Sequence, residues 1–490
     1  MLFNSWEFLL FFPTVLVLFF SLQHCHRWKM LLAASCIFYM AFIPYYILIL
    51  LLTIVVDYTA GILIEHSSGR KRDFFLYFSI ISTCLILFFF KYFDFVALNV
   101  NWLAEVWGLN VTMSPLGLML PIGLSFHTFQ SLSYVIEVYR GNQKPERHFG
   151  IYSLYVMFFP QLVAGPIERP QNLLHQFHEK HEFNYDHVTS GLRLMAWGLF
   201  KKAVIADNLA KFVTVVYENP SQFDGGVLIV ATLFFTFQVF CDFSGYSDMA
   251  RGAARTMGFN LMLNFDRPYA ATSLSDFWRR WHISLSTWLR DYVYDPVAMG
   301  LRDWGMYGIV FALMLTFLVS GFWHGANWTF VVWGVLHGTG LSLEAVFAKP
   351  RKRLSKVLPA WLFNTTMLIG TFSFVNFTYI FFRAKSLSDA YLIVKNIVNW
   401  IVELPIQFSE SFHASLLHVG DVVSPSGFKT SCALIIFLVI AHTAQSRIEI
   451  EIWINRCAWW VRWPLYQIGV LSIAYGGVWL GARSFIYFQF

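Results

Sequence analysis

Two histidines stand where an apolar sequence would not ordinarily keep an ionisable group. His324 falls within Gly321-Phe322-Trp323-His324-Gly325, near the turn of an apolar hairpin over 304–348 that has no Lys or Arg between Arg302 and Lys349. Ionisable groups inside a membrane are costly and generally functional, and imidazole is the side chain best suited to accept a proton near neutral pH. A plainer reading is that Gly321 and Gly325 permit close helix packing, with His324 a satisfied hydrogen-bonding group. His282 lies in Ser275-Asp276-Phe277-Trp278-Arg279-Arg280-Trp281-His282-Ile283-Ser284-Leu285-Ser286-Thr287-Trp288-Leu289-Arg290-Asp291, where Phe277, Trp281, Leu285 and Trp288 recur at helical spacing. An interfacial amphipathic helix anchored by Trp and Arg accounts for this pattern and leaves His282 free to face a polar cavity. Arg279, Arg280 and Arg290 suit anionic phosphates arriving from the cytosol. A similar pentad, Gly334-Val335-Leu336-His337-Gly338, follows. The rise along one straight helix puts His337 roughly 20 Å from His324, too far to share a reacting atom, which gives it a structural role.

Other chemistries lack their signatures. The sequence has no G-x-S-x-G, Walker A, G-x-G-x-x-G or H-E-x-x-H motif. His175, His178, His181 and His187 cluster, but without the Cys or carboxylate spacing of a defined metal site, and they read as a solvated loop. No metal is expected. Cys25, Cys36, Cys84, Cys241, Cys432 and Cys457 show no paired spacing and suit packing residues or free thiols.

The elements that must position these residues are membrane helices. The chain is 57% hydrophobic and only 13% charged, about half the charge of an ordinary globular domain, with mean hydropathy +0.54. Long apolar runs favour helices over a barrel, so the expected fold is all-α: a single integral-membrane domain over 1–490 of about 10–12 spans with interfacial or re-entrant helices. Met1–Leu22 has no basic residue before its apolar run and reads as a retained helix. Basic loops at 24–29, 70–72, 140–148, 251–302 and 349–356 read as cytoplasmic. Between them fall apolar runs near 30–43, 45–64, 74–96, 115–139, 357–382, 428–445 and 464–482. Over 150–250 the two flanking loops demand an even number of crossings. Either 190–216, with Arg193, Lys201, Lys202 and Lys211, lies at the surface, or the prolines around 158–170 break an element. The net charge of +6 reflects these loops and calls for no nucleic acid.

The chain resembles the membrane-bound O-acyltransferase (MBOAT) family, in its bacterial alginate O-acetyltransferase-like branch. The likeness rests on Met1-Leu2-Phe3-Asn4-Ser5, Phe129-Gln130-Ser131-Leu132-Ser133-Tyr134 and Phe159-Pro160-Gln161-Leu162-Val163-Ala164-Gly165-Pro166-Ile167. It continues through Asp242-Phe243-Ser244-Gly245-Tyr246-Ser247-Asp248, Asn264-Phe265, Phe277-Trp278-Arg279-Arg280-Trp281-His282, Phe322-Trp323-His324-Gly325 and Phe485-Ile486-Tyr487-Phe488-Gln489-Phe490. His127 departs from the aromatic residue expected before Thr128-Phe129. The resemblance implies an essential histidine at His324 and a second at His282. It also implies acetyl-CoA as the acyl-donor substrate with no permanently bound cofactor, and a bacterial inner-membrane location. The acceptor implied is an extracytoplasmic polysaccharide such as alginate, reached through partner acetyltransferases. Asp242, Ser244, Tyr246 and Asp248, with Trp323 and Asn327 at the hairpin turn, are candidates for shaping the cavity; for the first four, packing is an equal alternative. A transporter moving an intact donor or polysaccharide precursor, and a scaffold in which His324 is dispensable, are the competing readings.

Overall fold

The computed structural model describes residues 1–403, 424–448, 450–479 and 485–486. Among the described residues the regular elements are helical and no strand occurs. Among the described residues seven helices are long and apolar enough to cross a bilayer: Pro44–Glu65, Arg70–Val106, Gly225–Thr256, Met306–His324, Trp328–Val346, Ala360–Arg383 and Ser426–Gln445. Trp6–Ser21 is a shorter apolar helix. The all-α polytopic membrane class therefore holds. The end of the run expected over 464–482 and the closing residues 487–490 lie outside the described residues. By its internal packing the chain divides into two compact units, residues 1–195 with 246–263 and residues 196–245 with 264–490.

In the first unit, buried Asp57 accepts hydrogen bonds from Ser79 Oγ at 2.6 Å and Thr83 Oγ1 at 3.2 Å, joining helices Ile47–Glu65 and Arg70–Leu87. The run expected over 115–139 becomes helical only at Leu124. Pro115 and Pro121 lack the amide a helix needs, and Gly117 and Gly123 adopt left-handed conformations. Side chains satisfy part of this irregular backbone: Asp94 accepts from the amides of Leu116 and Gly117, and Asn101 from that of Met113. Helix Phe149–Met157 likewise stops before Phe158-Pro160. Ser35 Oγ accepts from the freed Phe159 amide at 3.0 Å. Glu168, in this broken stretch, accepts from the Met262 amide and the Asn172 side chain, both at 2.6 Å. Burial pushes its carboxyl up to about 7, against the pull of those bonds.

The second unit is organised around Gly225–Gly245, the part of helix Gly225–Thr256 that belongs to it. An apolar helix that is covered on most sides needs neighbours all round. Here Phe234, Phe235, Val239 and Phe240 pack in one cluster with Trp278, Trp281, Trp333, Tyr379 and Phe382. Met306–His324 and Trp328–Val346 form the expected hairpin. Its helices meet at glycine: a Cβ on Gly321 would fall 2.4 Å from the Phe330 carbonyl oxygen, and one on Gly334 2.3 Å from that of Phe317.

Two expectations need correcting in this unit. Of the basic residues offered for a surface position, Lys211 is exposed but Lys201 and Lys202 are buried. They sit in a π-helical turn, Phe200–Ala206, before helix Asp207–Glu218. The wider turn, with i→i+5 bonding, turns both consecutive side chains inward. The part of the arginine-rich loop in this unit is not simply a surface loop either. It runs beside the hairpin rather than staying at its feet. At the foot, Arg351 pairs with Glu344 at 3.1 Å and donates to the Thr272 carbonyl, while Glu344 accepts from the amide of Leu274 at 2.8 Å. Halfway up, Trp278 meets His337; at the top, the His282 ring is 5.8 Å from that of Trp323. The chain then returns through Ile283–Leu289 and Asp295–Gly300 to the Leu301 carbonyl, which closes against Gly308. Apolar periodicity suggested a helix over 277–288. The structure breaks it at His282 into Leu274–Arg280 and Ile283–Leu289.

Candidate active site

His324 ends helix Met306–His324, whose buried face carries Ala312, Thr316, Ser320 and His324 at four-residue spacing. Its ring touches Trp323 (4.9 Å between centroids), Trp333 (5.0 Å) and Phe382 (5.1 Å), an aromatic box that excludes water from the imidazole. His282 reaches the same tryptophan, Trp323, at 5.8 Å, and packs edge-on to Phe243 at 4.6 Å. The two histidines named from sequence thus contact one tryptophan.

His282 has φ +45°, ψ +55°, the left-handed conformation that costs an L residue with a Cβ about 1–2 kcal/mol. Such strain survives only where surrounding contacts impose it. Asn264 does so here: its carbonyl oxygen accepts from the Ile283 amide at 3.0 Å. Its Oδ1 accepts from the Ser284 amide at 3.2 Å and from Ser284 Oγ at 3.0 Å.

His337 is accounted for by structure. Nδ1 accepts from Trp278 Nε1 at 3.3 Å, which leaves Nε2 to donate to Thr378 Oγ1 at 3.0 Å; Thr378 in turn donates to the Val375 carbonyl at 2.8 Å. Its distance from His324 needs correcting. Trp333 lies 5.0 Å from His324 and 4.8 Å from His337, centroid to centroid. The imidazoles are therefore within about 10 Å of each other, half the straight-helix distance. The chain reverses at Gly325–Asn327, so the residues between them do not add up along one axis.

Asp242, expected as a cavity residue, belongs to a buried ion cluster. Lys202 Nζ lies 2.6 Å from Asp242 Oδ1 and 2.8 Å from Asp207 Oδ1; Asp242 Oδ2 accepts from the Ile486 amide at 2.8 Å. Lys201 Nζ donates to Ser244 Oγ at 2.9 Å. Two ammonium groups and two carboxylates balance, as buried charge requires. Sequence reading missed Lys201, Lys202 and Asp207. The available signal was Asp242 itself, a carboxylate in an apolar helix that needs a cation. Tyr246 and Asp248 continue the same helix in the first unit, where Tyr246 packs on Phe3 at 4.8 Å and Asp248 lies 3.7 Å from Arg251. Asn327 is the N-cap of Trp328–Val346: its Oδ1 accepts from the Thr329 amide at 3.0 Å, and its Nδ2 donates to the Lys385 carbonyl at 3.1 Å. Arg280 pairs with Asp276 at 3.0 Å and Arg290 with Asp291 at 2.9 Å, while Arg279 is exposed. Among the described residues no group of His, Cys, Asp and Glu is arranged to hold a metal. His175 lies 3.6 Å from Glu179, His178 lies 2.8 Å from Glu146, and His181 bonds the Gln176 carbonyl.

Chemically, the region offers imidazoles in a dry aromatic enclosure, a setting for proton transfer at a group excluded from bulk water. Residues 147–383 match the model of the MBOAT, membrane-bound O-acyltransferase family. The chain is 36% identical to the peptidoglycan O-acetyltransferase of Helicobacter pylori over 399 residues, covering 75% of this chain and 73% of that protein. It is 36% identical over 434 residues to the probable alginate O-acetylase AlgI of Pseudomonas aeruginosa, covering 86% and 79%. Over 254 residues it is 29% identical to the teichoic acid D-alanyltransferase of Streptococcus thermophilus, covering 48% and 59%.

Proposed function

Because the chain belongs to the membrane-bound O-acyltransferase family, we propose that it transfers an acetyl group from cytosolic acetyl-CoA to a hydroxyl destined for a polysaccharide outside the bacterial inner membrane. The coarser part follows from kinship: this is a multi-pass membrane O-acyltransferase, which favours acyl transfer over the transporter and scaffold readings. The relatives' names span peptidoglycan, alginate and teichoic acid. The acceptor is accordingly proposed as an extracytoplasmic glycopolymer such as alginate, acetylated with the help of partner acetyltransferases.

In the proposed reaction the acceptor hydroxyl attacks the thioester carbonyl carbon while His324 takes its proton. The C–S bond then breaks, and the imidazolium returns the proton to the departing CoA thiolate. Transient acylation of His324 itself would accomplish the same transfer in two steps. His282 orients the substrate or steadies the developing charge, and Arg279, Arg280 and Arg290 receive the donor's phosphates from the cytosolic side. The observation that supports this reading is that buried His324 and His282 both contact Trp323. The test is release of free CoA from acetyl-CoA by purified protein with an acceptor present, before and after His324→Ala. Loss of at least about 100-fold in rate at unchanged folding is expected; undiminished release from His324→Ala would overturn the assignment.

A further inference from the structure

Two residues beside His324 carry buried donors with no acceptor among the described residues. Trp333 Nε1 and Ser320 Oγ have no hydrogen-bond partner among the described residues, and Trp333 and Ser320 are 2% and 0% exposed. Both omissions are unusual. Indole N–H can only donate, and a buried donor without an acceptor is destabilising. A buried helical serine ordinarily bonds the carbonyl four residues back. Thr316 does so to Ala312 at 2.6 Å and Ser342 to Gly338 at 2.7 Å in the same hairpin, but Ser320 makes no such bond.

Both residues are neighbours of His324. The Trp333 ring stands perpendicular to that of His324, at 84° and 5.0 Å. Ser320 precedes His324 by one helical turn on the buried face. The other nearby indole, Trp278, spends its N–H on His337.

We infer that Trp333 Nε1–H and Ser320 Oγ–H form the oxyanion-binding pair of the acyl transfer, receiving the thioester carbonyl oxygen as it becomes negatively charged. The inference rests on the proposed role of His324. Attack of the acceptor oxygen on the carbonyl carbon turns the C=O bond into C–O⁻, and the acceptor proton moves to the His324 imidazole. The two donors hold the O⁻ until the C=O bond re-forms, the C–S bond breaks and the thiolate takes the proton back. Donors fixed in a site without water are effective because they need no reorganisation when the charge appears.

The experiment measures acetyl-CoA turnover by the purified full chain in detergent for Trp333→Phe, Ser320→Ala and His324→Ala, with thermal unfolding of each. Trp333→Phe keeps an aromatic ring against His324 and removes only the donor. Loss of one oxyanion donor commonly lowers kcat by about 10²–10³-fold. A fall of at least about 100-fold in kcat is therefore expected for Trp333→Phe and for Ser320→Ala, with KM for acetyl-CoA within about threefold of the parent. Wild-type kcat in folded Trp333→Phe and Ser320→Ala, with His324→Ala inactive, overturns the oxyanion assignment and leaves the role of His324 standing. Losses that appear only in KM or only in melting temperature overturn it as well. Full activity in His324→Ala removes the reading beneath it. If Trp333→Phe does not fold, Ser320→Ala, which deletes one hydroxyl, decides alone.

Discussion

Replacing His337 by alanine should produce a protein that is weakened but competent. The imidazole has two bonded nitrogens, and the two bonds differ in consequence. Thr378 keeps its own acceptor, the Val375 carbonyl, so it loses little. Trp278 Nε1, buried and donor-only, loses its acceptor, at a cost of about 1–3 kcal/mol. The vacated volume beside Trp278, Trp333 and Phe374 adds about 2 kcal/mol or more. A total near 3–5 kcal/mol should lower the melting temperature and yield of His337→Ala strongly. His337→Gln, able to offer an acceptor to the indole, should recover part of it. Since the imidazole touches neither His324 nor His282 in the contacts described, CoA release per folded molecule should stay within about tenfold of the parent. The assay combines thermal unfolding in detergent with turnover normalised to folded protein. A well-folded His337→Ala with turnover reduced by about 1,000-fold would refute the reasoning. It would show that proximity through Trp333 couples His337 to the chemistry.

Asp242→Asn takes the negative charge from Lys202 while Asp207 remains, so a stability loss near 3 kcal/mol, the lower end for a broken buried pair, is expected in chemical unfolding; a variant as stable as the parent would contradict the ion-cluster reading. Neutralising Arg279 and Arg280 together should weaken acetyl-CoA binding without altering the melting temperature, and unchanged donor affinity in equilibrium binding would leave the arginines as lipid anchors. Glu168 has a carboxyl raised to about 7 from 4.5 by burial. The folded state therefore holds that proton more tightly, and the associated stability is present below pH 4.5 and lost as pH rises to about 7, up to about 3 kcal/mol. Glu168→Gln should flatten that part of the pH–stability curve, and an unchanged slope would place the titration elsewhere. Cysteines placed at 303 and 350 should both label from the cytoplasmic face, since the hairpin feet are basic; labelling from opposite faces would refute the hairpin topology.

The hairpin was legible because its signals are one-dimensional: an apolar run, basic ends, and glycines beside a turn. His324 and His282 were legible as ionisable residues in apolar context. What the sequence did not carry was distance between elements. His337 looked remote because helical rise adds only along one axis, whereas the reversal at Gly325–Asn327 brings it back alongside. The climb of residues 272–282 beside the hairpin was hidden by the arginines, which mark cytoplasmic loops when counted but say nothing of where the chain goes between them. Lys201 and Lys202 were misplaced because an α-helical register would turn one of two adjacent side chains outward; the π turn at Phe200–Ala206 changes that register locally.

The left-handed backbone at His282 has a consequence for how this position responds to substitution. In ordinary helical surroundings alanine is the more stable replacement and glycine the less. Here the order should invert, because a Cβ is what makes φ +45° costly. The glycine variant should then melt above the alanine variant, and both should have lost the imidazole. Both variants vacate the space in which the His282 ring packs on Phe243 and Trp323, so the difference between them isolates the backbone contribution. If His282 has the role proposed for it, glycine at residue 282 would relax the backbone and still forfeit turnover as fully as alanine does.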